Sequence, residues 1–234
     1  LYEKLNSSKT DIYSGEFRIK KQTFWFGTDK YGRDMLSRII YGSRISLSVG
    51  LIAVLISLFI GVFLGLIAGY YRGFIDNIIM WIINVTWSIP TLLMVIAITF
   101  ALGKGFWQIF VAVGLTMWVE VARIVRGQVL VIRELEYIEA SQVLAYKSFR
   151  IIFKHILPNA LTPIITYAPF AIMGNITYLV ALDFLGFGLQ PPTPSWGELI
   201  NQAAGNLQNW HLVVFPLIIM AITLFLITLI GDGV

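Results

Sequence analysis

The side chains able to do chemistry are few and scattered. The 234 residues include two histidines, His155 and His211, and no cysteine. Without cysteine there is no disulfide and no thiolate metal site, and two histidines far apart in sequence do not suggest an imidazole cluster. No GxxxxGK[ST] loop occurs to cradle nucleotide phosphates. HExxH, GxSxG and cleft-like paired carboxylates are also missing, so no catalytic or metal site is expected in this chain. What remains are isolated polar groups within apolar sequence: Asn84, Glu120, Arg123, Asn175 and Asp183. Such residues inside a membrane segment flag function. Glu120 and Arg123 have the i,i+3 spacing of an intrahelical ion pair, and a structural pair near a membrane interface is the favoured reading. Asn84 and Asn175 either line a pathway or bridge helices. Asp183 either faces that pathway or reaches interfacial water.

The elements that must hold these groups are set by composition. Hydrophobic residues make up 57% of the chain and charged residues 13%, against about 25% charged in soluble domains. Much of the surface must therefore face lipid. A spanning helix needs about 20 apolar residues, and five stretches supply them: about 45–70, 78–102, 106–125, 161–185 and 212–230. Lipid demands that backbone polar groups be satisfied internally, so these are helices. Pro90, Pro163 and Pro169 fall within spans, where Thr86, Ser88 and Thr166 are placed to cover freed carbonyls. Gly61, Gly65 and Gly69 form a GxxxGxxxG face that lets another helix approach closely. Trp196 and Trp210 read as interfacial anchors.

Alternation of five spans places 71–77 and 126–159 on one side, and residues 1–44, 103–105 and 187–211 on the other. After residue 45 the first side carries Arg72, Arg123, Arg126, Arg133, Lys147, Arg150 and Lys154, and the second only Lys104. The positive-inside rule makes the first side cytoplasmic. The head disagrees, with nine basic residues, but it also carries five acids. The short connections decide the matter. Nucleic acid is a poor partner, because the remaining basic residues lie between lipid-length apolar runs.

The long cytoplasmic connection is the informative one. Helix formers dominate residues 136–157, so it reads as two short helices turning near Ala145–Ser148. Ser148 is expected to cap the second helix, and Pro158 to end it. Ile138, Val143, Leu144, Tyr146 and Phe149 need a protein surface to bury against, either a partner or the chain's own helix ends.

This segment resembles the cytoplasmic E-A-A loop of ABC importer permeases. Glu139, Ala140 and Ser141 take the E-A-A places, and Ile156, Leu157 and Pro158 take the closing I-x-L-P places. Ala145 stands where the family has glycine. A left-handed turn there would strain alanine by about 1–2 kcal/mol. Two further stretches narrow the resemblance to the second transmembrane subunit of dipeptide, oligopeptide and nickel systems: Phe26–Asp34 with Leu36–Ser46, and Phe184–Gly197.

The resemblance implies an all-α, type I ABC importer permease fold. Residues 1–44 would be an extracytoplasmic head whose preceding helix is absent here, and 45–234 the transmembrane domain with its coupling loop at about 126–159. Five helices in this chain would be six in the intact subunit. It implies half of a translocation pathway for peptides, nickel or other small solutes in a bacterial inner membrane. The partners implied are a homologous permease, two ATPase subunits that bind the ATP and Mg²⁺, and an extracytoplasmic binding protein. Glu139, Ala140, Ser141, Leu144 and Ala145 would face the ATPase. The rival reading is a secondary transporter or channel working without ATP.

Overall fold

The computed structural model describes residues 9–13, 16–20, 23–103, 105–204 and 209–233. Its strands form one antiparallel ribbon, β1 (Lys9–Tyr13) with β2 (Glu16–Lys20). The rest is helical: α1 (Met35–Tyr71), α2 (Gly73–Trp87), α3 (Thr91–Leu102), α4 (Phe106–Ile132), α5 (Glu136–Val143) and α6 (Ser148–Ile151). A π-helical turn (Ile152–Ile156) then leads to α7 (Leu157–Ala160), α8 (Thr162–Phe184), α9 (Trp196–Asn201) and α10 (His211–Asp232). Four of these, α1, α4, α8 and α10, are long and apolar enough to cross a membrane, and α2 with α3 makes a fifth, broken span.

That broken span departs from the single helix expected over 78–102. The axes of α2 and α3 differ by 93°. Pro90 precedes the first turn of α3 with φ −54°; it lacks an N–H and disfavours helical backbone at Ile89. Thr86 Oγ1 donates to Ile82 O at 2.9 Å and Ser88 Oγ to Val85 O at 2.7 Å. Neither hydroxyl covers the carbonyl that Pro90 frees, Thr86 O, which instead accepts from Ile89 N at 3.3 Å, so the role expected of them is not seen; Thr166 makes no such bond among the described residues.

The chain divides into two compact units. The first comprises Leu1–Leu47 and Val180–Thr223. Its apolar centre is Met35, Ile39, Leu199, Ala203 and Leu212, with Phe26 stacked on Phe215 at 4.2 Å. A polar network surrounds it. Asp29 pairs with Arg33, Arg38 pairs with Glu198 at 3.3 Å, and Lys30 N donates to Gln202 Oε1. The head and the 187–211 connection therefore meet, in keeping with their assignment to one side. This network also explains why α1 begins ten residues before the expected span, since Arg38 is held by partners about 160 positions away in sequence. Trp196 is fully buried here, with Nε1 directed at Ile39 O, so it is a core residue and not the expected anchor; Trp210 is 61% exposed.

The second unit comprises Ser48–Leu179 and Leu224–Val234. Its core is the seam between α1 and α4. A Cβ at Gly61 would lie 2.5 Å from Val121 Cβ, one at Gly65 2.6 Å from Ala122 O, and one at Gly69 2.6 Å from Val129 Cβ. Gly114 of α4 repeats the arrangement against Ile56 and Ala53 O. On other positions of α1, at four-residue intervals, Leu51, Leu55, Phe59 and Phe63 are exposed, as a stripe solvated by lipid would be.

Three of the basic residues counted for topology are engaged near the end of α4. Arg126 holds Asp76 through two bonds of 2.6 Å, Arg72 reaches Glu134 at 2.8 Å, and Arg133 donates to Tyr70 O. These contacts bring 71–77 and the start of 126–159 together. Lys104, the one opposing charge, lies outside the described residues.

Candidate functional site

The loop after α4 is fixed by one apolar peg. Ile138 is fully buried among Val129, Ile132, Ile151, Ile152 and Ile156. That anchor leaves the outer faces of α5 and α6 bare. Val143 is 85% exposed, Leu144 66% and Phe149 70%, and the Phe149 ring packs against that of the half-exposed Phe153, with centroids 4.3 Å apart and planes tilted by 34°. Of the five apolar residues said to need a surface, Ile138 thus finds it fully within the chain and Tyr146, 37% exposed beside Arg150, finds it in part, whereas Val143, Leu144 and Phe149 do not. Phe153 escaped the sequence reading, although its i,i+4 spacing from Phe149 was the available signal.

Of the residues assigned to docking, Glu139, Ala140, Leu144 and Ala145 are exposed. Ser141 is not: it is buried and donates to Tyr137 O at 2.7 Å. At the end of the motif, Leu157 and Pro158 fill the last two of the four I-x-L-P places, so the isoleucine place falls on His155 and Ile156 takes the variable one, a correction to the alignment. Ile156 is buried in the core that holds Ile138. Pro158 does not end the second helix. It sits in the first turn of α7, just after the π turn, and the chain runs on from α7 into α8. Ser148 is the first residue of α6 rather than its cap, which is Lys147.

The turn between α5 and α6 closes as a Schellman motif. Ala145 N donates to Gln142 O at 2.9 Å and Tyr146 N to Ser141 O at 3.1 Å. Its geometry requires a left-handed residue after the cap, and Ala145 has φ +54°. The strain anticipated for alanine at the glycine place is present. Ala145→Gly should relieve about 0.5–1 kcal/mol once the extra freedom of glycine in the unfolded chain is offset. The check is amide exchange at Leu144–Lys147, expected to slow by about two- to fivefold if opening is local.

A second polar region lies along the break. The expected Glu120–Arg123 pair does not form. Arg123 turns to α2, donating to Asn84 Oδ1 at 3.0 Å and lying over the Trp87 ring at 3.8 Å. A cation–π contact and a carbonyl on another helix win over a same-helix carboxylate. Glu120 instead accepts from Tyr167 Oη of α8 at 2.5 Å and lines a groove with Thr86, Trp87, Thr91, Met94 and Met117.

The other polar candidates make contacts within the chain. Asn84 bridges helices. Asn175 is fully buried, its Nδ2 directed at Gly50 O at 3.5 Å. Asp183 neither faces a pathway nor reaches water: it is 2% exposed, accepts from Leu189 N at 2.6 Å and from Ser195 Oγ, and so ties the end of α8 to the following connection. Among the described residues, no three His, Cys, Asp or Glu side chains gather as metal ligands.

Comparison with known proteins gives consistent findings. The family described as "Binding-protein-dependent transport system inner membrane component" matches residues 61–234. The chain is 44% identical over 229 residues to the oligopeptide transport system permease protein OppC of Salmonella typhimurium, covering 97% of this chain and 73% of that protein. It is 43% identical over 211 residues to the dipeptide transport system permease protein DppC of Bacillus subtilis, covering 89% of this chain and 66% of that protein. In fold it is similar to the inward-facing MetNI methionine ABC transporter, with a TM-score of 0.70 at 20% identity, covering 85% of this chain and 95% of that one.

Proposed function

The chain belongs to the family of binding-protein-dependent transport system inner membrane components, and from that premise we propose that it forms half of the translocation pathway of a peptide importer and couples it to ATP hydrolysis through the α5–α6 loop. It is a transmembrane permease subunit of an ABC importer in a bacterial inner membrane. Peptides are the substrate class on the strength of its dipeptide and oligopeptide relatives. The partners are a homologous second permease, two ATPase subunits carrying ATP and Mg²⁺, and an extracytoplasmic binding protein.

One observation carries the coupling role. Ile138 pins the loop to the core while Val143, Leu144, Phe149 and Phe153 stay exposed beside Glu139. Apolar side chains at the aqueous cytoplasmic end of a membrane protein are out of place unless a partner covers them. A loop so anchored moves with α4 and α8, so a push on its outer face is passed into the membrane helices.

The test is co-purification of the full-length subunit with its operon partners in mild detergent, wild type beside Glu139→Lys. The ATPase should accompany the wild type and be depleted from the variant, while the second permease stays. A wild-type subunit that purifies alone and moves peptide down an ion gradient in vesicles would replace this reading with a secondary transporter.

A further inference from the structure

The least expected feature of the membrane region is an exposed carboxylate inside a span, five residues before the end of the 106–125 apolar run. Glu120 is the fifteenth residue of the 27-residue α4, and its surface is open in the chain. An ionised side chain at such depth does not face hydrocarbon; it faces protein or a water-filled cavity. Its helix neighbours Val119 and Val121 are buried, so the backbone at this level is packed and the carboxylate has not strayed there through disorder. Tyr167 fixes one oxygen, and among the described residues no other side chain bonds it.

The surroundings have the makings of a binding surface. The α2–α3 break opens a groove lined by Thr86, Trp87, Thr91, Met94, Met117 and Glu120. Its hydroxyls offer hydrogen bonds, and its two methionines offer soft, adaptable apolar contact. Among the lining residues Glu120 alone is charged. Arg123, one turn along α4, is already committed to Asn84 and the Trp87 ring. A single carboxylate in a groove with low-dielectric walls, beside an aromatic ring and flexible apolar side chains, favours a cation on a ligand of varied side chains.

We propose that this groove is a water-accessible station of the translocation pathway, where Glu120 receives a cationic ammonium group of the passing peptide, its amino terminus or a lysine. This rests on the peptide reading above and adds a position and a charge preference to it. The contact is transient by design: one carboxylate with one tyrosine partner attracts an ammonium without a second charged group to trap it.

The chain's lack of cysteine makes the test direct. In the assembled importer, on a cysteine-free background, Thr91→Cys is reacted with two membrane-impermeant methanethiosulfonates, one bearing trimethylammonium and one bearing sulfonate. The ratio of their rates is normalised to that for a small free thiol. The ratio should favour the cation by about tenfold and fall towards one when Glu120→Gln is added, in a subunit that still co-purifies with the second permease. A lysine-containing peptide supplied with the binding protein should slow the cationic reaction. A Thr91→Cys thiol unreactive to both reagents means the groove is covered by the second permease or lipid and overturns the proposal, as does a ratio indifferent to Glu120. Peptide uptake by the unmodified importer is measured separately. Its absence defeats the peptide reading, whereas the labelling ratio judges the groove.

Discussion

Leu144→Asp should release the ATPase while leaving the permease folded. Leu144 is 66% exposed at the tip of the loop beside Val143 at 85%, and neither helps to hold Ile138 in the core. The substitution therefore touches little within the subunit. In a complex it would place a carboxylate where an apolar side chain is buried. Burying a leucine contributes about 1.5–3 kcal/mol, and an unpaired charge in its place costs more. Affinity for the ATPase should fall by at least about 100-fold, and ATP-driven uptake should vanish with it. Titrating purified ATPase against permease pairs in nanodiscs measures this. Retention of the second permease and unchanged protease resistance confirm the fold. Wild-type affinity would move the docking surface off this loop.

The second large effect is expected inside the membrane. Gly65→Leu should yield no recoverable folded subunit. A Cβ alone at Gly65 would sit 2.6 Å from Ala122 O and 2.7 Å from Val125 Cβ. Both are fixed atoms of α4 rather than the ends of flexible side chains, so a leucine requires the helices to part. Parting them opens the cluster formed by Leu66, Val121, Val125 and Val129. Gly65→Ala should be milder, at about 1–3 kcal/mol. Gly127 is the control, because a Cβ there meets nothing within 4 Å; Gly127→Ala should leave the melting temperature unchanged or slightly raised. Thermal unfolding in detergent and the monodisperse fraction on size exclusion distinguish the three.

Some of this was legible in the residues and some was not, for identifiable reasons. The length of each apolar run marked the spans, because membrane thickness acts locally along the chain. The glycine spacing of α1 likewise pointed to a helix contact without naming its partner. Pro90 signalled a weakness in the second span, but neither the 93° angle nor the groove follows from one proline. Glu120 and Arg123 misled because i,i+3 spacing describes an isolated helix, whereas Asn84, Trp87 and Tyr167 come from elsewhere in the chain. Trp196 misled for a similar reason: an indole suits an interface or a core, and only the approach of Ile39 decides. The left-handed Ala145 was anticipated only through the glycine that the resembled family has at that place, since alanine itself gives no signal for a positive φ.

The break between α2 and α3 also bears on how the subunit enters its membrane. With 15 and 12 residues, the two halves measure about 22 and 18 Å, each shorter than the roughly 30 Å of hydrocarbon a span must cross. Neither half is a sufficient insertion signal by length, and a near right angle prevents them from acting as one straight segment. The stitches that settle α2, Arg126 to Asp76 and Arg123 to Asn84, are supplied by α4. The bent pair packs on α1 through Ile79 and Ile83 as soon as both exist, but its polar stitches wait for α4, so its final geometry is completed by a segment made after it.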